Sequence, residues 1–198
     1  MRKLLTDAFE IACFRIRPLD HYVYPFWQPM LWLSLISAVP VLTGALQASL
    51  PERLLFFELL GWAQVLLLTI FLSWWLRLGQ RWKGEGSLFP LTVLCHSSAL
   101  LLVLAPVLET GAFLLFKAAL SIYQVVLLVV ALSRATGVTR GHVAIGLLAS
   151  APTILLVLLI SQQFLLQSGW SPTLNRMAAE VEAARQSGRP QPPTPEAR

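Results

Sequence analysis

The chain has 198 residues, of which 56% are apolar and only 13% charged, and a net charge of +5; its mean hydropathy is +0.67 and its isoelectric point about 9.8. Soluble domains run about 45–50% apolar and about 25% charged, so the composition argues against a soluble domain and against a disordered chain. The positive charge is small and scattered between apolar runs, which speaks against nucleic acid as a partner and for an anionic membrane face.

In chain order, Met1-Arg2-Lys3 has the charge of a secretory signal, but Asp7 and Glu10 interrupt the apolar run that would follow, so a cleaved signal is not expected. Leu4, Leu5, Ala8, Phe9, Ala12 and Ile16 recur at helical spacing, with Arg2, Lys3, Asp7 and Arg17 largely elsewhere on the wheel. That pattern predicts an amphipathic helix, either lying in the cytoplasmic interface or packed on the membrane bundle. Five apolar segments follow, at about 26–46, 54–75, 89–108, 112–133 and 143–166. Each matches the roughly 20 residues that a helix needs to cross a bilayer core of about 30 Å. Leu50-Pro51-Glu52-Arg53 is read as the turn joining the first two spans and Glu109-Thr110-Gly111 as the turn joining the third and fourth, so these neighbours run antiparallel. After Gly169, Ser171-Pro172 opens a short helix to Gln186, and a Pro-rich, disordered end begins near Arg189.

The expected fold is therefore all-α, a polytopic transmembrane bundle of about five spans with an N-terminal interfacial amphipathic helix. Residues 1–25 form a cytoplasmic helix and lead-in, 26–166 the membrane domain and 167–198 an external tail. Arg2, Lys3, Arg15, Arg17, Arg77, Arg81, Lys83, Arg134 and Arg140 fall on one side of such a bundle. The positive-inside rule makes that side cytoplasmic, with the N-terminus inside, the C-terminus external or periplasmic, and the inner (plasma) membrane as the location. The basic set Arg77, Arg81, Lys83, Arg134 and Arg140 is a candidate cytoplasmic contact surface. Cys13 and Cys95 lie on different levels and are not expected to form a disulfide.

Polar groups inside spans are expensive and carry the candidate sites. Glu58 and Lys117 fall at similar depth near the outer ends of the second and fourth spans, as an ion pair, as snorkelling side chains, or in a proton or ion role. Gln64, His96, Ser97, Ser98 and Gln124 lie toward the middle of three spans. Interhelical hydrogen bonding is the commoner use of such residues, and a ligand or proton pathway is the alternative. Neither a metal-binding spacing, a nucleophile motif nor a phosphate loop is present, so no catalytic residue, cofactor or metal is expected. Most of the seven Trp residues sit near span ends as an aromatic belt, Trp62 being the exception.

Two segments resemble the Yip family, five-span membrane proteins that bind Ypt/Rab GTPases. Asp20-His21-Tyr22-Val23-Tyr24-Pro25-Phe26-Trp27 is similar to the family's lead-in to its first span. Ile122-Tyr123-Gln124-Val125-Val126-Leu127, continuing through Ala131-Leu132-Ser133-Arg134-Ala135-Thr136-Gly137-Val138-Thr139-Arg140-Gly141-His142-Val143-Ala144, is similar to its fourth-to-fifth-span passage. The resemblance implies five spans, a cytoplasmic N-terminus, and a non-enzymatic role in membrane organisation or trafficking through protein partners, here in a bacterial relative. It marks Asp20, Tyr24, Pro25, Gly137 and Gly141 as structural positions. The expected partners are the lipid bilayer and other membrane proteins or a second copy of the chain.

The expected function is a membrane scaffold or assembly role, with a small transporter, channel or lipid-handling protein as the alternative, and the two have opposite mutational signatures. A scaffold or assembly protein tolerates His96→Ala and Gln124→Leu but loses its partners when Arg77, Arg81 and Lys83 are neutralised, read by co-purification. A small transporter, channel or lipid-handling protein that uses a mid-membrane polar path does the reverse, and flux retained in the His96→Ala, Gln124→Leu double variant removes that reading.

Overall fold

The computed structural model describes residues 1–43, 48–78, 82, 86–107 and 110–170, and every regular element among them is helical. The order is α1 (Arg2–Ala12), a 3₁₀ turn (Leu19–Tyr22), α2 (Trp27–Thr43), α3 (Leu50–Arg77), α4 (Phe89–Cys95) passing directly into a 3₁₀ segment (His96–Val107), α5 (Thr110–Thr136) and α6 (Arg140–Ser168). Three helices, Leu50–Arg77, Gly111–Thr136 and Arg140–Ser168, are long and apolar enough to cross a membrane. At 1.5 Å per residue each reaches about 40 Å, beyond the roughly 30 Å of a hydrocarbon core. Their outward faces carry residues such as Leu115 and Leu148, about three-quarters exposed, as a surface that meets lipid requires. The turn residue Glu109, the basic residues Arg81 and Lys83, and the tail helix expected after Ser171 lie outside the described residues.

Two expectations about the apolar segments and their turns are corrected. Leu50-Pro51-Glu52-Arg53 is the first turn of α3 rather than an interhelical turn. Ser49 caps it: its backbone N–H and its hydroxyl both donate to Glu52 Oε2, at 2.9 and 2.7 Å, and proline in the first turn forfeits no helical hydrogen bond. The third apolar segment is not one α-helix. It is α-helical for seven residues and 3₁₀ for the next twelve, a long run for that geometry.

The N-terminal helix packs on the bundle. Leu4 and Ile11 are fully buried, with Ala8 and the carboxylate of Asp7 beside them, whereas Met1, Leu5 and Phe9 form an exposed stripe on the adjoining face. Asp7 is therefore on the inner face, not with the solvated charges where the wheel put it, and Ile16 lies beyond the helix end. A buried carboxylate needs partners. Tyr24 donates its hydroxyl to Asp7 Oδ2, and His21 Nε2 donates to Oδ1 at 3.1 Å. Lys3 donates to the His21 carbonyl at 2.8 Å and lies 5.1 Å from the Tyr24 ring centroid, and Arg17 bridges to Glu10 at 2.9 Å.

The end of α1 is a Schellman-type cap, with Phe14 N–H donating to the Ile11 carbonyl and Arg15 N–H to that of Glu10, both at 2.8 Å. The left-handed position such a cap requires, usually glycine, is Phe14 at φ 58°. The strain is offset by what Phe14 touches. Its ring meets Tyr123 edge-on at 5.8 Å, its carbonyl accepts from Arg134 Nη1 at 2.8 Å, and next to it the Ala12 carbonyl accepts from the Tyr123 hydroxyl. The lead-in is thereby strapped to α5.

Among the long helices, α6 packs on α3 far more than on its chain neighbour α5. The contact is set by Trp75, whose Nε1 donates to the His142 carbonyl at 3.0 Å while His142 Nε2 donates back to the Trp75 carbonyl at 3.3 Å, with the rings stacked at 5.3 Å. Gly146 makes the approach possible, since a Cβ there would stand 2.4 Å from Trp75 Cδ1.

Burial, and then the hydrogen bond to Asp7, raise the pKa of Tyr24 above its ordinary 10.0, and burial likewise raises that of Tyr22. A raised folded-state value means stability that is complete below pH 10.0 and lost above it, as the unfolded chain ionises and the folded one resists. Thermal unfolding in mild detergent is expected to show that alkaline loss, and Tyr24→Phe to diminish it while lowering stability below pH 10.0 by about 1–2 kcal/mol. An unchanged alkaline limb would refute the assignment.

Candidate functional site

Gln64 and Gln124 fall at the midpoints of α3 (28 residues) and α5 (27 residues). His96 stands at the junction of α4 with the 3₁₀ segment. A 3₁₀ helix turns every three residues, so His96, Ala99 and Leu102 line up on one face. That row, with Ser37 of α2, Gln64 of α3 and Lys117 and Gln124 of α5, lines a cavity of about 380 Å³ between these elements. Lys117 and Phe57 lie about two turns nearer the N-terminal ends of their helices than the glutamine layer, so the cavity extends from mid-helix toward those ends.

His96 Nδ1 lies 2.8 Å from the Thr92 carbonyl, an acceptor, which assigns the ring proton to Nδ1 and leaves Nε2 as an acceptor. Ser37 is 6% exposed and its Oγ has no hydrogen-bond partner. It sits against Gly61, where a Cβ would approach Ser37 Oγ to 2.1 Å, so glycine keeps α2 and α3 close at this level.

A second cavity, of about 1010 Å³, opens between α5 and α6 and is backed by Leu68 and Cys95. It is lined mainly by aliphatic side chains, among them Val125, Leu128, Leu147 and Leu155. The hydroxyls of Ser121 and Ser150 on its wall return to their own helices, to the carbonyls of Lys117 at 2.9 Å and Leu147 at 2.7 Å. His96 and Gln124 line both cavities and so form the junction between them.

Of the polar residues singled out from sequence, Gln64, His96 and Gln124 converge. Ser97 and Ser98 do not, because the three-residue turn carries them to the other faces. Ser97 Oγ accepts from Trp32 Nε1 at 2.7 Å, and Ser98 is buried away from the cavity. Glu58 and Lys117 form no ion pair: Glu58 Oε2 accepts from Trp62 Nε1 at 3.1 Å, and Lys117 instead lines the cavity. Trp62, the tryptophan inside a span, also donates to Ser34 Oγ at 3.3 Å, so it satisfies Glu58 and ties α3 to α2. Of the basic set, Arg77, Arg134 and Arg140 are among the described residues. Arg77 covers the Trp82 ring at 5.4 Å, Arg134 is engaged with Phe14, and Arg140 begins α6, exposed. Both cysteines are free. Ser37 and Gly61 were not found by sequence reasoning, since nothing distinguishes a serine or glycine that meets another helix from one that does not.

No protein-family model matches the chain, and no curated protein or solved structure matches it. The likeness to the Yip family accordingly rests on its two quoted segments.

A double-mutant cycle separates the two accounts of Glu58. Glu58→Gln and Lys117→Gln are expected to be additive within about 0.5 kcal/mol, as unlinked sites are. Glu58→Gln and Trp62→Phe should couple by about 1 kcal/mol or more, as a hydrogen bond to a charged group does. Unfolding in detergent measures both, and the reverse ranking would restore the ion pair.

Proposed function

We propose that the chain is an inner-membrane carrier or lipid-handling protein that admits a small polar or amphipathic molecule into an intramembrane chamber. The observation that carries this reading is the convergence of Ser37, Gln64, His96, Lys117 and Gln124, drawn from four segments, on one cavity. Polar side chains at such depth are costly unless they face each other or a polar guest. The volume, about 380 Å³, is in the range of small-molecule sites. The molecule takes part by binding and release, with no catalytic group assigned.

The same reading includes five crossings. The lengths support it: α2, with 17 residues, reaches about 25 Å, and α4 with its 3₁₀ continuation about 34 Å, because a 3₁₀ helix rises 2.0 Å per residue. The excess of Arg and Lys on the N-terminal side supports a cytoplasmic N-terminus and an external C-terminus. The exposed stripe Met1, Leu5 and Phe9, next to Arg2, supports placing α1 at the cytoplasmic interface, its second apolar face turned to lipid while the first packs on the bundle. That stripe and the strapped lead-in are also what favour the second reading, a Yip-like scaffold that works through protein partners.

Thiol labelling tests the chamber. In a chain with Cys13→Ser and Cys95→Ala, single Lys117→Cys and Gln124→Cys variants are expected to react with a charged, membrane-impermeant thiol reagent. Ile122→Cys, exposed on α5 and lining neither cavity, is expected not to react. If Gln124→Cys reacts no faster than Ile122→Cys, the cavity is closed to water and the carrier reading fails.

A further inference from the structure

We propose that the two joined cavities hold one phospholipid with an anionic headgroup, its phosphate at Lys117 and an acyl chain in the cleft between α5 and α6. The inference rests on the chamber reading and names its guest.

Charge sets the class. Among the described residues, Lys117 is the only charged one lining the polar cavity, and no carboxylate lies within ion-pair distance of it. The nearest candidate from sequence, Glu58, is engaged with Trp62. Lys117 is exposed where it meets this cavity, about two turns into α5; a lysine in a membrane segment without a counter-ion is costly, and an anionic group removes that cost. The neutral polar groups match a phosphate headgroup. The Ser37 hydroxyl, nine-tenths buried and without a partner, is a donor for a phosphate oxygen, as are the amides of Gln64 and Gln124, which line the same cavity from other helices. His96 Nε2, with the proton on Nδ1, asks for a donor, and a headgroup hydroxyl or ammonium supplies one.

The cleft argues for a lipid over a free anion. It is larger than the polar cavity, about 1010 Å³ against 380 Å³, and meets it at His96 and Gln124. Its two serines are satisfied by their own helices, so what it offers below that junction is aliphatic wall. A water-soluble anion would leave that wall in contact with water, whereas an acyl chain covers it. Head and chain thus take the order of the two chambers, with the headgroup toward the N-terminal end of α5.

The test uses the full chain in mild detergent, titrated with phosphatidylglycerol or with phosphatidylcholine of the same acyl chains and read by native mass spectrometry. One phosphatidylglycerol per protein is expected, held about tenfold more tightly than phosphatidylcholine, a difference of about 1.4 kcal/mol. Lys117→Gln should abolish that preference and Lys117→Arg retain it. Ala151→Trp, which adds bulk at a side chain facing the cleft, should weaken both lipids alike. Equal retention of the two lipids by the unaltered protein, or a preference that survives Lys117→Gln, would overturn the proposal. So would saturation by inorganic phosphate or by a free fatty acid that phosphatidylglycerol does not displace. Reactive Lys117→Cys and Gln124→Cys variants with no phosphatidylglycerol preference would leave the chamber standing and remove the lipid; unreactive variants would remove both.

Discussion

The place where Gly146 lacks a side chain governs the arrangement of the long helices. Trp75 occupies that space, exchanges hydrogen bonds with His142, and so fixes the start of α6 against the end of α3. Only residues 137–139 separate α5 from α6, with Gly137 in the left-handed conformation at φ 72°. Two helices joined so tightly would ordinarily pack along their length. Here α6 is already committed to α3, so it diverges from α5, and the space between them becomes the larger cavity. The cavity is a by-product of a close contact on the other side of α6, which is why its walls are ordinary aliphatic residues.

Where the chain runs outside the long helices, it is held by polar contacts of a kind water would weaken. Asp7, buried beneath α1, gathers Tyr24 and His21, and the same few residues engage Lys3 and Arg17. Tyr123 and Arg134 of α5 reach the end of α1 through backbone carbonyls. Contacts of this type fix direction as well as distance, since each donor must point at its acceptor. They place α1 against α4 and α5 with Leu4 and Ile11 inside, and they leave Leu5 and Phe9 on an exposed flank.

The long apolar helices were legible in the sequence because hydropathy over some twenty residues depends on no partner. α3, α5 and α6 extend two to four residues beyond each of their expected ends, where Glu52, Arg77 and Arg140 show that polar residues also belong to the terminal turns. The Ser49-x-x-Glu52 pattern was a readable start signal, obscured by the proline between its ends. The site was legible only in its chemistry. Depth along a helix can be counted, so Gln64, His96 and Gln124 were placed at one level, but which face each occupies depends on turn and packing. Matching depth alone carried Ser97 and Ser98 into the cluster and paired Glu58 with Lys117. Ser37 needed the position of Gly61 on another helix. The same limit hid Asp7, whose burial follows from Tyr24 and His21 lying over it rather than from the wheel of α1.

The 3₁₀ segment after His96 makes the chamber intolerant of changes in chain length. One residue inserted or removed between positions 96 and 102 turns everything beyond it by about 120°, a full face, where an α-helix would turn by about 100° and partly overlap its former face. With three discrete faces there is no intermediate setting. Leu102 would leave the wall, and one of its sequence neighbours would take its place. Substitution can tune this wall residue by residue, whereas a frame shift within it exchanges one surface for another.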